Sequence, residues 1–199
     1  MKTSHKLLKP LYIAVVLPGL IFGSTPQGAK RKKTEQVTIV TLTSLNSKNQ
    51  VISTGAGFIV SDGVIATSYG VVRNAAKIRA ELATETARTV QLLAVDQHRS
   101  VALLKLTGDS PDILRVLYRK DPLPGDRVYV VGGGATPDPI SATIGQPVSV
   151  GRTHYVTVKL SGSNPPAGSP IVDQNGEVVG LLGVENGGTV SFLVPVSSI

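Results

Sequence analysis

Few residues of this chain are of types that could carry bond-breaking chemistry at neutral pH. Beyond residue 36 there are two histidines, His98 and His154, and no cysteine anywhere. Loop serines stand at Ser163 and Ser169, and an aspartate, Asp96, precedes His98 by two residues. Acyl transfer through serine needs a base beside the hydroxyl and a carboxylate to orient that base. Nothing in the local spacing puts a histidine next to either serine. His98 falls in a turn and His154 in the turn-like Gly151-Arg-Thr-His154, where each reads as a surface side chain. The run Gly132-Gly133-Gly134 follows an apolar stretch, but it lacks the Lys-Ser/Thr ending and following helix of a phosphate cradle, so it reads as a tight loop. No His, Asp and Glu cluster has metal-ligand spacing, and no cofactor is expected.

The elements that would position these residues are β-strands. The 199 residues are 41% hydrophobic, with 21 glycines, 13 prolines and no tryptophan, a composition that favours short strands punctuated by turns. One group comprises Val37–Thr43, Val51–Thr54, Gly57–Ser61, Val64–Thr67, Ile78–Leu82, Thr89–Val95 and Val101–Leu106. A second comprises Arg127–Val131, Ser141–Val150, Tyr155–Leu160, Pro170–Val172, Val178–Val184 and Thr189–Val194. Asp62-Gly63, Pro124-Gly125 and Asn175-Gly176 mark turns between apolar runs. Residues 68–75 read as one helical turn, and Ile113–Tyr118 is an apolar run within the connection. The expected fold is all-β, with a first barrel over 37–110, a connector over 111–122 and a second barrel over 123–199.

The net charge of +7 does not describe the folded part. Seven of the 20 Lys and Arg lie in the first 33 residues, leaving 13 against 13 Asp and Glu. Phosphate recognition needs clustered positive charge, so nucleic acid is not an expected partner. Residues 1–29 carry Lys2, Lys6 and Lys9 ahead of a 12-residue apolar stretch, Leu11–Phe22, followed by small and polar residues. This is the pattern of an export leader, shorter than a spanning helix needs. No clean A-x-A site follows, which leaves a retained anchor as the alternative. Residues 30–36 form a basic linker, whose Lys30-Arg31-Lys32-Lys33 is either a solvated tether or a contact with anionic lipid through residues 1–33. The expected location is outside the cytoplasm: periplasmic, secreted or anchored on the outer side.

Five segments in order resemble HtrA-type (DegP-like) proteases of the trypsin fold. They are Gly55–Ser68, Val101–Leu106, Leu123–Gly132, Pro170–Gly180 and Asn186–Pro195. The resemblance covers about residues 36–199, implies a trypsin-like double six-stranded β-barrel, and includes no peptide-binding PDZ domain. In that family the histidine precedes a Val-Val pair, where this chain has Gly70. The aspartate precedes the Val-Ala-Leu-Leu strand, where this chain has Ser100. The nucleophile precedes the Asn-Gly hairpin at a spacing that here falls on Ala167. The oxyanion-loop positions become Pro165, Pro166 and Gly168, and proline offers no N–H. Asp96 matches a non-catalytic aspartate of the same turn. The resemblance therefore implies the fold with its catalytic triad substituted: a pseudoprotease serving as a binding or scaffold module. It also implies that Leu181, Leu182, Gly183, Val184 and Glu185 line a cleft that takes an extended peptide or a protein partner by strand addition. Two other readings remain, an active serine endopeptidase rebuilt around Ser163 or Ser169 and a purely structural envelope protein. The oligomeric state is left unassigned.

Overall fold

The computed structural model describes residues 37–82, 87–108, 121–132, 138–150, 153–162, 164–185 and 190–199. The leader and basic linker, the Ile113–Tyr118 run, Ser163, Gly133 and Gly134 lie outside the described residues. Period-two burial is plain in the strands. β1 (Ile39–Leu45) buries Val40 and Leu42, and β4 (Lys77–Leu82) alternates Lys, Arg and Glu outward with Ile78, Ala80 and Leu82 inward. One face of each sheet is thereby committed to an interior.

β1, β2 (Val51–Ser61), β3 (Val64–Ser68), β4, β5 (Arg88–Asp96) and β6 (Val101–Leu106) close into an antiparallel barrel in the order β1-β2-β3-β6-β5-β4. β7 (Arg127–Val130), β8 (Ile140–Val150), β9 (Thr153–Leu160), β10 (Pro170–Val172), β11 (Val178–Glu185) and β12 (Val190–Pro195) close the second, in the order β10-β11-β12-β9-β8-β7. Closure pairs the edges that an open sheet would leave exposed. The helical segment expected over 68–75 is shorter, a four-residue α1 (Tyr69–Val72). The two runs read around Gly55 are one strand, because β1 pairs continuously across them: Leu42 with Gly55, Val40 with Gly57. A run of small residues hides a strand when partners on both sides supply the packing.

Each barrel has its own core. Val40, Leu42, Ile59, Ile65 and Leu104 fill the first, and Val128, Ile144, Ile171 and Leu182 the second. A third cluster joins them: Phe58, Ala66 and Val101 from the first barrel meet Val172, Leu181, Phe192 and Val194 from the second. Burying side chains of this size is worth about 1.5–3 kcal/mol each, so the barrels are held as a pair. The site expected from the sequence lies at that junction.

Candidate functional site

β3 delivers the chain to the junction and α1 turns it away. Gly70 is exposed on α1, and a Cβ placed there would meet nothing nearer than Ser68 Oγ at 3.8 Å. The space for a side chain is present at this position without the side chain. The backbone N–H of Tyr69 donates to the Ser100 carbonyl (3.0 Å), which ties α1 to the turn before β6. Ser100 is buried, holds φ +56°, and its Oγ is 3.5 Å from the equally buried Ser68 Oγ. Two hydroxyls thus share the pocket beneath α1, and neither carries charge.

Ala167 enters from the second barrel. Its carbonyl accepts from the Ala56 N–H at 2.8 Å. A Cβ on Gly55 would collide with the Val71 side chain and come within 2.9 Å of the Ala167 oxygen. Gly70, Ser100 and Ala167, from three separate segments, are therefore brought to one place. The loop carrying Ala167 is fixed on its far side too: Gly168 N–H donates to the Leu182 carbonyl (2.7 Å) and Leu182 N–H to the Ser169 carbonyl (2.8 Å). Gly168 has φ +86°, and a Cβ there would land on the Ala56 carbonyl oxygen, so the position admits glycine alone. Thr67 Oγ1 donates to that same Ala56 carbonyl at 2.6 Å, a support that local sequence spacing does not reveal.

Pro165, in the same loop, has no N–H to donate. Among the described residues the Ala167 N–H has no acceptor. Ser169 is fully buried and spends its hydroxyl hydrogen on the Pro166 carbonyl, at 2.7 Å. His98 is exposed on the β5–β6 turn. His154 is exposed on the β8–β9 hairpin, where Nδ1 is 2.8 Å from Ser149 Oγ across the strand pair. This serine–histidine contact joins directly opposed residues of one hairpin. Asp96 caps the β5–β6 turn: it accepts from the Arg99 N–H (3.0 Å) and pairs with its guanidinium (2.8 Å). The backbone N–H of Arg99, with its guanidinium adding to it, holds the Asp96 carboxyl below the usual aspartate range. Among the described residues no group of His, Asp and Glu could hold a metal ion.

The expected peptide-lining stretch needs correction in part. Leu181 and Leu182 are fully buried, in the inter-barrel and second-barrel cores, and their side chains line no cleft. The backbone of Leu182 is already bonded to Gly168 and Ser169. β11 continues past the end of β10, and its next outward-facing backbone groups, two residues on, are the N–H and C=O of Val184. Among the described residues no strand pairs with Val184 on that side. On the other side of the junction, Asn46, Ile52, Ser53, Gly70, Arg73 and Asn74 line a surface depression.

Paired six-stranded antiparallel barrels with such a junction make this a trypsin-like double barrel. The chain belongs to the trypsin-like peptidase domain family, whose profile matches residues 55–181. Its relatives include a probable periplasmic serine endoprotease DegP-like from Pseudomonas fluorescens, 31% identical over 161 residues that cover 72% of this chain and 33% of that protein. The serine protease HTRA1B of Danio rerio is 28% identical over 167 residues, covering 77% and 35%. The chain thus spans about a third of the length of these relatives. Among solved structures, the active form of the Rv3671c protease from M. tuberculosis superposes with a TM-score of 0.67 at 20% identity, covering 93% of this chain and 91% of that one. The MamO protease domain from Magnetospirillum magneticum gives 0.65 at 21% identity, covering 83% and 95%. Over this domain the chain is similar to part of these HtrA- and DegP-named relatives.

Proposed function

We propose that this chain is a catalytically inactive, exported member of its family that holds an extended peptide or a protein segment without cleaving it. The observation that carries the reading is the convergence of Gly70, Ser100 and Ala167 at the barrel junction. Acyl transfer there requires a nucleophile, a proton acceptor and a carboxylate. Those three side chains supply no nucleophilic hydroxyl at Ala167, no base at Gly70 and no charge at Ser100. Loss of one oxyanion donor typically costs about 10²–10³ in rate, and Pro165 removes one. The burial of Ser169 and its bond to the Pro166 carbonyl argue against a displaced serine nucleophile. Binding is supported by the unpaired stretch of β11 at Val184, where an added strand would find an N–H and a C=O. Export is supported by the leader pattern and by the periplasmic relatives.

The test is labelling of the purified protein by a fluorophosphonate serine probe, together with cleavage of unfolded casein. Folded protein is expected to take no label and leave casein intact. Label that disappears in Ser169→Ala or Ser163→Ala protein would replace this reading with a rebuilt hydrolase.

A further inference from the structure

The depression beside α1 has a one-sided composition. Asn46, Ser53 and Asn74 are polar, Ile52 is apolar and Arg73 is the cation; among the described residues no carboxylate lines it. Arg73 is exposed, and among the described residues its side chain makes no hydrogen bond or ion pair. Its surroundings are cationic as well. Lys48 stands in the adjoining β1–β2 turn, and Lys77 opens β4 opposite Leu45, at the same end of the barrel. From Leu42 to Ser53 and from Tyr69 to Ala80 the sequence holds Lys48, Arg73, Lys77 and Arg79 with no Asp or Glu. The turn itself is rigid: Asn46 Oδ1 accepts from both the Lys48 and Gln50 N–H groups, and Asn46 Nδ2 donates to Gln50 Oε1. Ile52, which lines the depression, is 43% exposed, an apolar surface in the same depression as the cation.

Gly70 lines this depression, and a Cβ there would meet nothing nearer than Ser68 Oγ at 3.8 Å. Substitution of the base position thus leaves a recess with an unpaired guanidinium at its wall. A planar guanidinium presents paired donors that match a carboxylate.

We propose that this depression binds a carboxylate of an acidic peptide, with Arg73 holding the carboxylate, the recess over Gly70 accommodating the chain, and Ile52 taking a neighbouring apolar side chain. The proposal rests on the reading that the junction holds a ligand rather than cleaving it, and supplies the chemistry of that ligand.

The test is fluorescence anisotropy of the full chain with a short fluorescein-labelled peptide of alternating glutamate and valine, amidated at its C-terminus. Two companions are measured beside it. One has glutamine for every glutamate; the other is that glutamine peptide with a free terminal carboxylate. The glutamate peptide is expected to bind, and the amidated glutamine peptide to bind at least about tenfold more weakly. Binding of the free-terminus companion would assign the carboxylate to a chain end, and its failure to bind would assign it to a side chain. Arg73→Gln is expected to weaken the glutamate peptide by roughly tenfold. Gly70→Leu, which fills the recess and leaves Arg73 in place, is expected to weaken it comparably. Arg127→Gln, at an exposed position of β7 in the second barrel, serves as the control and is expected to change nothing. Equal binding of all three peptides, or equal losses in the Arg73 and Arg127 variants, would overturn the proposal. Fluorophosphonate labelling of the same preparation separates the two failures. No label with no glutamate preference removes the carboxylate site alone, whereas labelling removes the reading beneath it.

Discussion

At Gly168 the backbone sits at φ +86° with the Ala56 carbonyl where a side chain would begin. Gly168→Ala is therefore expected to destabilise the protein by about 3 kcal/mol or more, read from the midpoint of urea unfolding. On the proposed reading the residues that surrender the chemistry are Gly70, Ser100, Ala167 and Pro165, each read from its offset to a turn or an apolar pair. Arg73 was not legible. Its significance comes from Ile52 and Ser53, which lie on β2, and from the absence of a carboxylate among the described residues that line the depression. Nor was Thr67, whose hydroxyl reaches the Ala56 carbonyl eleven residues away in sequence. Offsets along a chain encode ladder positions, while surface neighbours across strands need the register.

Among the elements, the β5–β6 turn gives the clearest electrostatic expectation. Asp96 is held below its usual pKa by the Arg99 N–H and guanidinium. A carboxyl lowered in the folded state adds stability above its unfolded value, near pH 4, and loses it as the pH falls through the lowered value. Asp96→Asn is thus expected to lower Tm slightly at neutral pH and to match the parent in strong acid, as a melting series across pH would show. The effect is small because the pair is substantially exposed, with 62% of the Arg99 side chain open to solvent. Alternation and turn dipeptides placed most strands to within a residue or two. They divided β2 at Gly55, where small residues mask a continuous ladder, while the family resemblance set Leu181 and Leu182 along a cleft when both side chains belong to cores. An apolar strand pair reads the same whether it faces a cleft or another sheet. Only the packing of the second barrel against the first decides between them.

The whole molecule behaves as a pair of barrels sharing an interior. Phe58 from one and Phe192 from the other are both essentially buried in the shared cluster. Phe58→Ala is expected to cost about 3–5 kcal/mol and to weaken both barrels in one cooperative transition. Coincident unfolding by far-ultraviolet circular dichroism and by hydrogen exchange in each barrel would show this; early loss of one barrel alone would contradict it. The double barrel itself was legible from twelve or so short strands in two groups, and the HtrA resemblance narrowed it to one arrangement. The net charge of +7 was uninformative until divided, since the leader region supplies the excess.

The loop around Ala167 is bonded to Ala56 of the first barrel on one side and to Leu182 of the second on the other. Its shape is thus a fastening between the barrels, whatever chemistry it once served or never served. Folding alone would tolerate a side chain at Gly70, where space is empty, but not at Gly55 or Gly168, where there is none. On the proposed reading, the outline of a catalytic loop in this way outlasts its reason for being catalytic, kept by the demands of a folded chain.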